Sequence, residues 1–188
     1  MVTVSIGRRV FGVAVASAAV VACSLPAIGA PVDGAKSGKA YKPPYKNGPT
    51  GGDEFNYVHR DRDTGQMAVF RVFPGIPPVV GCEPEPSAGW GMFRVEHRVK
   101  RPVKAVSVVF DGALDPYSWV TVGARRGKDW LGVKKYQGPH EGSQTVTARL
   151  FDRPRGGRIT LEFGLQLGDA CPQVGASAVQ FTSVKVAG

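Results

Sequence analysis

Residues 158–167 read RITLEFGLQL. Ile159, Leu161, Phe163, Leu165 and Leu167 alternate with Arg158, Thr160, Glu162, Gly164 and Gln166, a period of two unbroken from end to end. An extended chain sends alternate side chains to opposite faces, whereas a helix would scatter these five around its circumference. The stretch is therefore a strand with one face on a core and the other turned away from it.

The same grammar spreads outward in both directions. Residues 93–100 set Phe93, Val95, His97 and Val99 against Arg94, Glu96, Arg98 and Lys100. Residues 145–151 set Val146, Ala148 and Leu150 against Thr145, Thr147 and Arg149. Further short strands are predicted over 55–60, 67–73, 103–110, 119–124, 130–136 and 179–186. Turn chemistry separates them, as in DRDTGQ at 61–66, Arg101-Pro102, Arg126-Gly127-Lys128 and residues 154–157. No helical period interrupts the series. About nine short strands joined by Gly/Pro turns make an all-β fold, an antiparallel two-sheet sandwich, jelly-roll-like, spanning residues 53–188.

Upstream the composition changes. Arg8 and Arg9 precede an apolar run at 10–22, shorter than the roughly 20 residues of a bilayer span and soon followed by Pro26. Residues 1–30 have the form of a signal peptide, so the protein is expected to be exported, either secreted or held at the cell envelope. Two fates for Cys23 stay open. Val20-Val21-Ala22-Cys23 resembles a lipobox, which would leave Cys23 as a lipidated first residue, whereas a cut after Gly29 or Ala30 would discard it. Arg8-Arg9-Val10-Phe11 matches the twin-arginine pattern only in part, which favours ordinary secretion. Residues 31–52 are rich in Pro, Gly and Lys without apolar periodicity and read as a flexible basic linker.

The chain carries 24 Lys and Arg against 15 Asp and Glu, a formal charge of +9. A surplus of that size suits anionic surroundings such as wall polymers, and equally an ordinary solvated surface. Without residues 1–30, Cys82 and Cys171 form an even pair, which in an oxidising compartment means one disulfide. Neither has a second Cys or a His at ligand spacing, so no metal and no cofactor is expected.

Catalytic constellations are thin. His97 lies on the apolar side of its strand and reads as a buried structural histidine, while His140 in QGPHEGS reads as a solvated turn. Asp111 and Asp115 could pair for glycosidase chemistry, yet FDGALDP is a turn composition in its own right. Asp61 and Asp63 offer oxygen ligands at alternate positions, but DTGQ explains itself as a hairpin turn.

Residues 115–130, DPYSWVTVGARRGKDW, raise the functional question. Trp119 shares a face with Thr121 and Gly123, opposite Val120, Val122 and Ala124, so its indole is expected outward or at a sheet edge. By strict alternation Trp130 shares a face with Gly132, Lys134 and Tyr136. A one-residue bulge would reverse that face, and an indole is as readily core as platform. Tyr117, Trp119, Trp130, Lys134 and Tyr136 are the candidate ligand contacts, the rings stacking on a sugar while polar neighbours read its hydroxyls. Trp90, between two glycines, is expected to pack over the disulfide. Arg94, Arg98, Lys100 and Lys104 are candidate contacts for an anionic partner, or simply a solvated outer face.

The closing residues Phe181-Thr182-Ser183-Val184-Lys185-Val186 resemble the last strand of galactose-binding-like jelly rolls, the architecture of many carbohydrate-binding modules. The resemblance implies that fold, favours glycan binding and assigns no site residue. The expectation is an exported, non-catalytic binding domain for an extracellular glycan or anionic wall polymer. No specific nucleic acid is expected as partner, and the membrane only through a lipid anchor at Cys23. The alternatives are a structural or protein-interaction envelope domain with its tryptophans in the core, and thirdly a hydrolase around Asp111, Asp115 or His140.

Overall fold

A computed structural model describes residues 38–52, 56–71, 89–167 and 176–188. Residues 1–30 with Cys23, and both Cys82 and Cys171, lie outside the described residues, as does the disulfide expected between the latter two. The described chain forms β1 (Ala40–Tyr41), β2 (Lys46–Gly51), β3 (Asn56–Asp61), β4 (Gln66–Arg71), β5 (Trp90–Arg98) and β6 (Ala105–Leu114). It continues with β7 (Ser118–Arg126), β8 (Asp129–Gln137), β9 (His140–Arg149), β10 (Arg158–Leu167) and β11 (Ala176–Ala187).

These strands make two antiparallel sheets. One runs β3-β4-β11-β6-β9 with β1 also on β11, and the other runs β2-β5-β10-β7-β8. β10, the stretch with the cleanest alternation, lies in the middle of the second sheet, between β5 and β7. Both its edges are paired and its five apolar side chains are buried. Facing sheets of this kind bury their inward phases in a shared layer about 10 Å thick. Phe93 and Phe163 from one sheet meet Phe110 and Phe181 from the other, with Phe163 and Phe181 centroids 5.2 Å apart.

The stretch read as a linker is in part structural. β1 pairs with β11 in the six-stranded sheet and β2 pairs with β5 in the other, so residues 38–52 cross between the sheets. Tyr45, only 3% exposed, inserts its ring 4.9 Å from that of Phe163 and donates its hydroxyl to the Phe181 carbonyl at 3.2 Å. Two isolated tyrosines among Pro, Gly and Lys make no apolar alternation, so a reading by period passes over them. These two strands raise the expected nine to eleven.

The turn between β3 and β4 is self-contained. The Asp61 carboxylate accepts from the Asp63 amide at 2.9 Å and the Thr64 hydroxyl at 2.8 Å, and Gly65 closes the turn at φ +78°. That carboxylate is committed to its own turn, as DTGQ implies.

Candidate functional site

The polar phase of β10 forms the spine of the outward face of its sheet. Residues directly opposed on antiparallel strands project to the same side, so the pairing register spells out the face row by row. Trp90 on β5, Gln166 on β10, Trp119 on β7 and Gln137 on β8 form one row. Met92, Gly164, Thr121 and Lys135 form the next, followed by Arg94, Glu162, Gly123 and Val133. Trp130 opposes Arg125 and lies over Gly123, where a Cβ would come within 2.7 Å of its ring. All three tryptophans of the chain thus share one surface and each is half-buried.

Trp119 reaches this face by plain alternation, with Val120, Val122 and Ala124 fully buried behind it. Trp130 does not. Ala124 opposes Gly132 while Arg125 opposes Trp130, so Leu131 is an extra residue in β8. Such a bulge moves every side chain before it to the other face. Gly132, Lys134 and Tyr136 oppose Ala124, Val122 and Val120 and belong to the reverse side. The expected grouping of Trp130 with Lys134 and Tyr136 is therefore corrected.

Between the indoles the face is polar. The Trp119 Nε1 donates to Gln166 Oε1 at 2.7 Å. Glu162, 6% exposed, meets Arg125 at 3.5 Å. Thr121 is 4% exposed, and its hydroxyl has no hydrogen-bond partner among the described residues. Buried polar atoms are nearly always paired, so this orphaned hydroxyl stands out on the face. Gly164 contributes no side chain, and a Cβ there would strike the Gly91 carbonyl. Lys135 Nζ lies 4.8 Å from the Trp119 ring centroid and the Arg125 guanidinium 5.0 Å from that of Trp130, close enough for cation–π attraction.

The other nominated residues divide. Tyr117 is exposed in the β6–β7 turn, beside Pro116, whose carbonyl accepts from Gln137. Tyr136 packs against Phe110 and shares hydrogen bonds of 3.2 Å with His140 and Gln144, which ties it to the core edge rather than to the tryptophans. Lys134 is exposed on that reverse side. Arg94 and Arg98 do lie on the tryptophan face, with Arg94 Nε donating to the Asn47 carbonyl at 3.0 Å. Lys100 and Lys104 stand apart from Arg94, along a cleft at one end of the sandwich that Arg98 also lines.

The histidines and acids also find their places. His97 is buried, and its Nδ1 lies 2.7 Å from the Tyr41 hydroxyl. Burial, then the Lys39 charge, hold its imidazole below the ordinary pKa. His140 is no solvated turn, since it opens β9 opposite Leu114 and packs edge-on to Phe110. Asp111 lies within β6, opposite Ser143, so the turn read in FDGALDP is confined to the residues after Leu114. Among the described residues no three His, Cys, Asp or Glu side chains gather as metal ligands would.

Trp90 is the tryptophan of this face that is not among the candidate ligand contacts expected from the sequence. Its signal is in WGMFRVEHR, where it keeps phase with Met92, Arg94, Glu96 and Arg98 and out of phase with the buried Phe93. It covers Gly51, whose Cβ would lie 2.6 Å from the indole nitrogen.

No family model and no curated protein matches this chain. Solved structures with a similar course of the chain include the BiXyn10A CBM1 module without ligand, at 8% identity and a TM-score of 0.42 over 81% of this chain and 99% of that one. Another is TmCBM61 in complex with β-1,4-galactotriose, at 11% identity and a TM-score of 0.38 over 73% and 86%. A family 29 carbohydrate-binding module is similar at 11% identity and a TM-score of 0.37 over 79% and 89%.

Proposed function

We propose that this protein is an exported, non-catalytic glycan-binding domain whose binding surface is the outward face of the five-stranded sheet. The observation that carries this reading is the gathering of Trp90, Trp119 and Trp130 on one face around the orphaned Thr121 hydroxyl. Indole faces stack on the C–H-rich faces of sugar rings, and buried polar groups between them select hydroxyl positions, the usual division of labour in small-ligand sites. Residues 1–30 would direct export, and Cys82 and Cys171 would form a disulfide in the compartment reached.

The cations over Trp119 and Trp130 favour a second reading, in which the indoles merely pack under Lys135 and Arg125 on a structural envelope domain. Affinity electrophoresis through gels containing neutral and acidic soluble polysaccharides separates the two. Glycan binding predicts retardation by at least one neutral polymer, abolished by Trp119→Ala, weakened by Trp90→Ala and indifferent to salt. Retardation that high salt removes would point to anionic contacts through Arg94 and Arg98 instead. Unretarded migration in every gel would sink the glycan reading.

A further inference from the structure

At one end of the sandwich, away from Trp90 and Trp119, lies a cleft of about 810 Å³. Its lining includes the buried Val103, Val186 and His97 and the half-buried Tyr41, over whose ring Lys39 Nζ sits 4.8 Å from the centroid. Around it stand Lys39, Arg98, Lys100, Arg101 and Lys104, with Glu96 as the acidic side chain among the lining residues. The two ion pairs among the described residues, Arg62–Asp63 and Arg125–Glu162, lie elsewhere. Among the described residues, then, none of the five cations has a carboxylate partner. The walls are pinned on both sides. Lys104 N donates to the Ala187 carbonyl at 2.8 Å, Val103 N to Pro154 at 3.1 Å, and Val186 N to Lys39 at 3.0 Å.

A preformed cleft of this size, partly apolar and with five cations against one acidic side chain, asks for a ligand with an apolar body and an anionic group. Bare inorganic anions need no such apolar lining, and a neutral sugar leaves the cations unused. We infer that this cleft binds an acidic sugar unit, its carboxylate or phosphate among Arg98, Lys100 and Lys104 and its ring against Val103 and Val186. The site shares Arg98 with the edge of that sheet face but none of its tryptophans, and stands or falls without them.

Isotope-labelled intact protein would be titrated with glucuronate, glucose 1-phosphate, glucose and inorganic phosphate while the His97 imidazole and the Lys100, Val103 and Lys104 amides are followed by NMR. Saturable shifts confined to these groups with glucuronate, glucose 1-phosphate or both support the site, and the responder identifies carboxylate or phosphate as the anion. Lys100→Ala/Lys104→Ala, at exposed positions, should weaken that binding about tenfold or more while leaving the remaining spectrum unchanged. Trp119→Ala should leave it unaltered, which separates this site from the glycan face. Equal shifts with glucose or with inorganic phosphate would overturn the assignment. So would shifts spread evenly to Arg94, Arg153 and Arg155, or none that saturate.

Discussion

His97 and Thr121 are the two residues whose chemistry is most constrained by their surroundings. In the neutral imidazole with its proton on Nε2, the His97 Nδ1 accepts from Tyr41, and protonation reverses that bond, Nδ1 then donating to the phenol oxygen. Burial and Lys39 lower its pKa from 6.5, so as pH falls the unfolded chain takes up the proton first. The contribution of His97 to stability is therefore complete above its unfolded pKa and declines as pH drops below it. Urea midpoints measured from about pH 8 to about pH 5.5 should fall, and His97→Gln should flatten that slope. Thr121 offers a test with two opposed readouts. Replacing its unpartnered hydroxyl by a methyl, Thr121→Val, should leave stability unchanged or raise it by about 1 kcal/mol. The same change should weaken retention by a bound glycan about fivefold, measured by affinity electrophoresis. Loss of stability would show that the hydroxyl is satisfied within the protein.

At the scale of elements, β8 decides whether the aromatic face has two tryptophans or three. The alternation of DWLGVKKY alone assigns Trp130 to the side of Gly132, Lys134 and Tyr136, and the extra residue Leu131 moves it across. The cause lies outside the strand. The Leu131 carbonyl accepts from the Phe151 amide at 3.0 Å, and a Cβ at Gly132 would strike the Arg149 carbonyl. The end of β9 thus holds the bulge in place. Gly123 then provides the seat for the indole. Gly123→Ala would bring a methyl within 2.6 Å of the Gly132 carbonyl and 2.7 Å of the Trp130 ring. We expect a loss of about 1–3 kcal/mol by urea denaturation, together with an altered near-UV signal from the displaced indole. β5 tells the opposite story. Its nine residues keep phase throughout, so Trp90 was legible as an outward residue from WGMFRVEHR alone.

Across the whole molecule, the segment before β3 ties the two sheets together. β1 extends one sheet, β2 extends the other, and Tyr45 between them fills the gap against Phe93 and Phe163. A protein beginning at residue 53 should accordingly be less stable than one beginning at residue 38. The loss of the buried Tyr45 ring alone should account for about 3–5 kcal/mol. Comparing the two chains by urea denaturation checks this, and equal midpoints would restore the linker reading for the whole of residues 31–52. Tyr45 also resists ionisation, because burial raises its phenol pKa above the ordinary 10.0. Its contribution is complete below that ordinary value and is lost as alkali ionises the unfolded chain first.

What the sequence determined by itself is whatever depends on near neighbours. Alternation in RITLEFGLQL, WGMFRVEHR and SWVTVGARR assigns strands and faces, because the side-chain direction of an extended chain depends only on parity. The all-β class and the outward aim of Trp119 follow from that rule. Only the tertiary structure decided which strands lie side by side, and so brought Trp90 and Trp119 into one row across β10. It also set the bulge at Leu131 through the end of β9, and it recruited Tyr45 from a stretch without periodicity into the core. The physical reason is common to all three. Pairing partners, bulges and gap-filling are settled by groups distant along the chain, and parity carries no record of them.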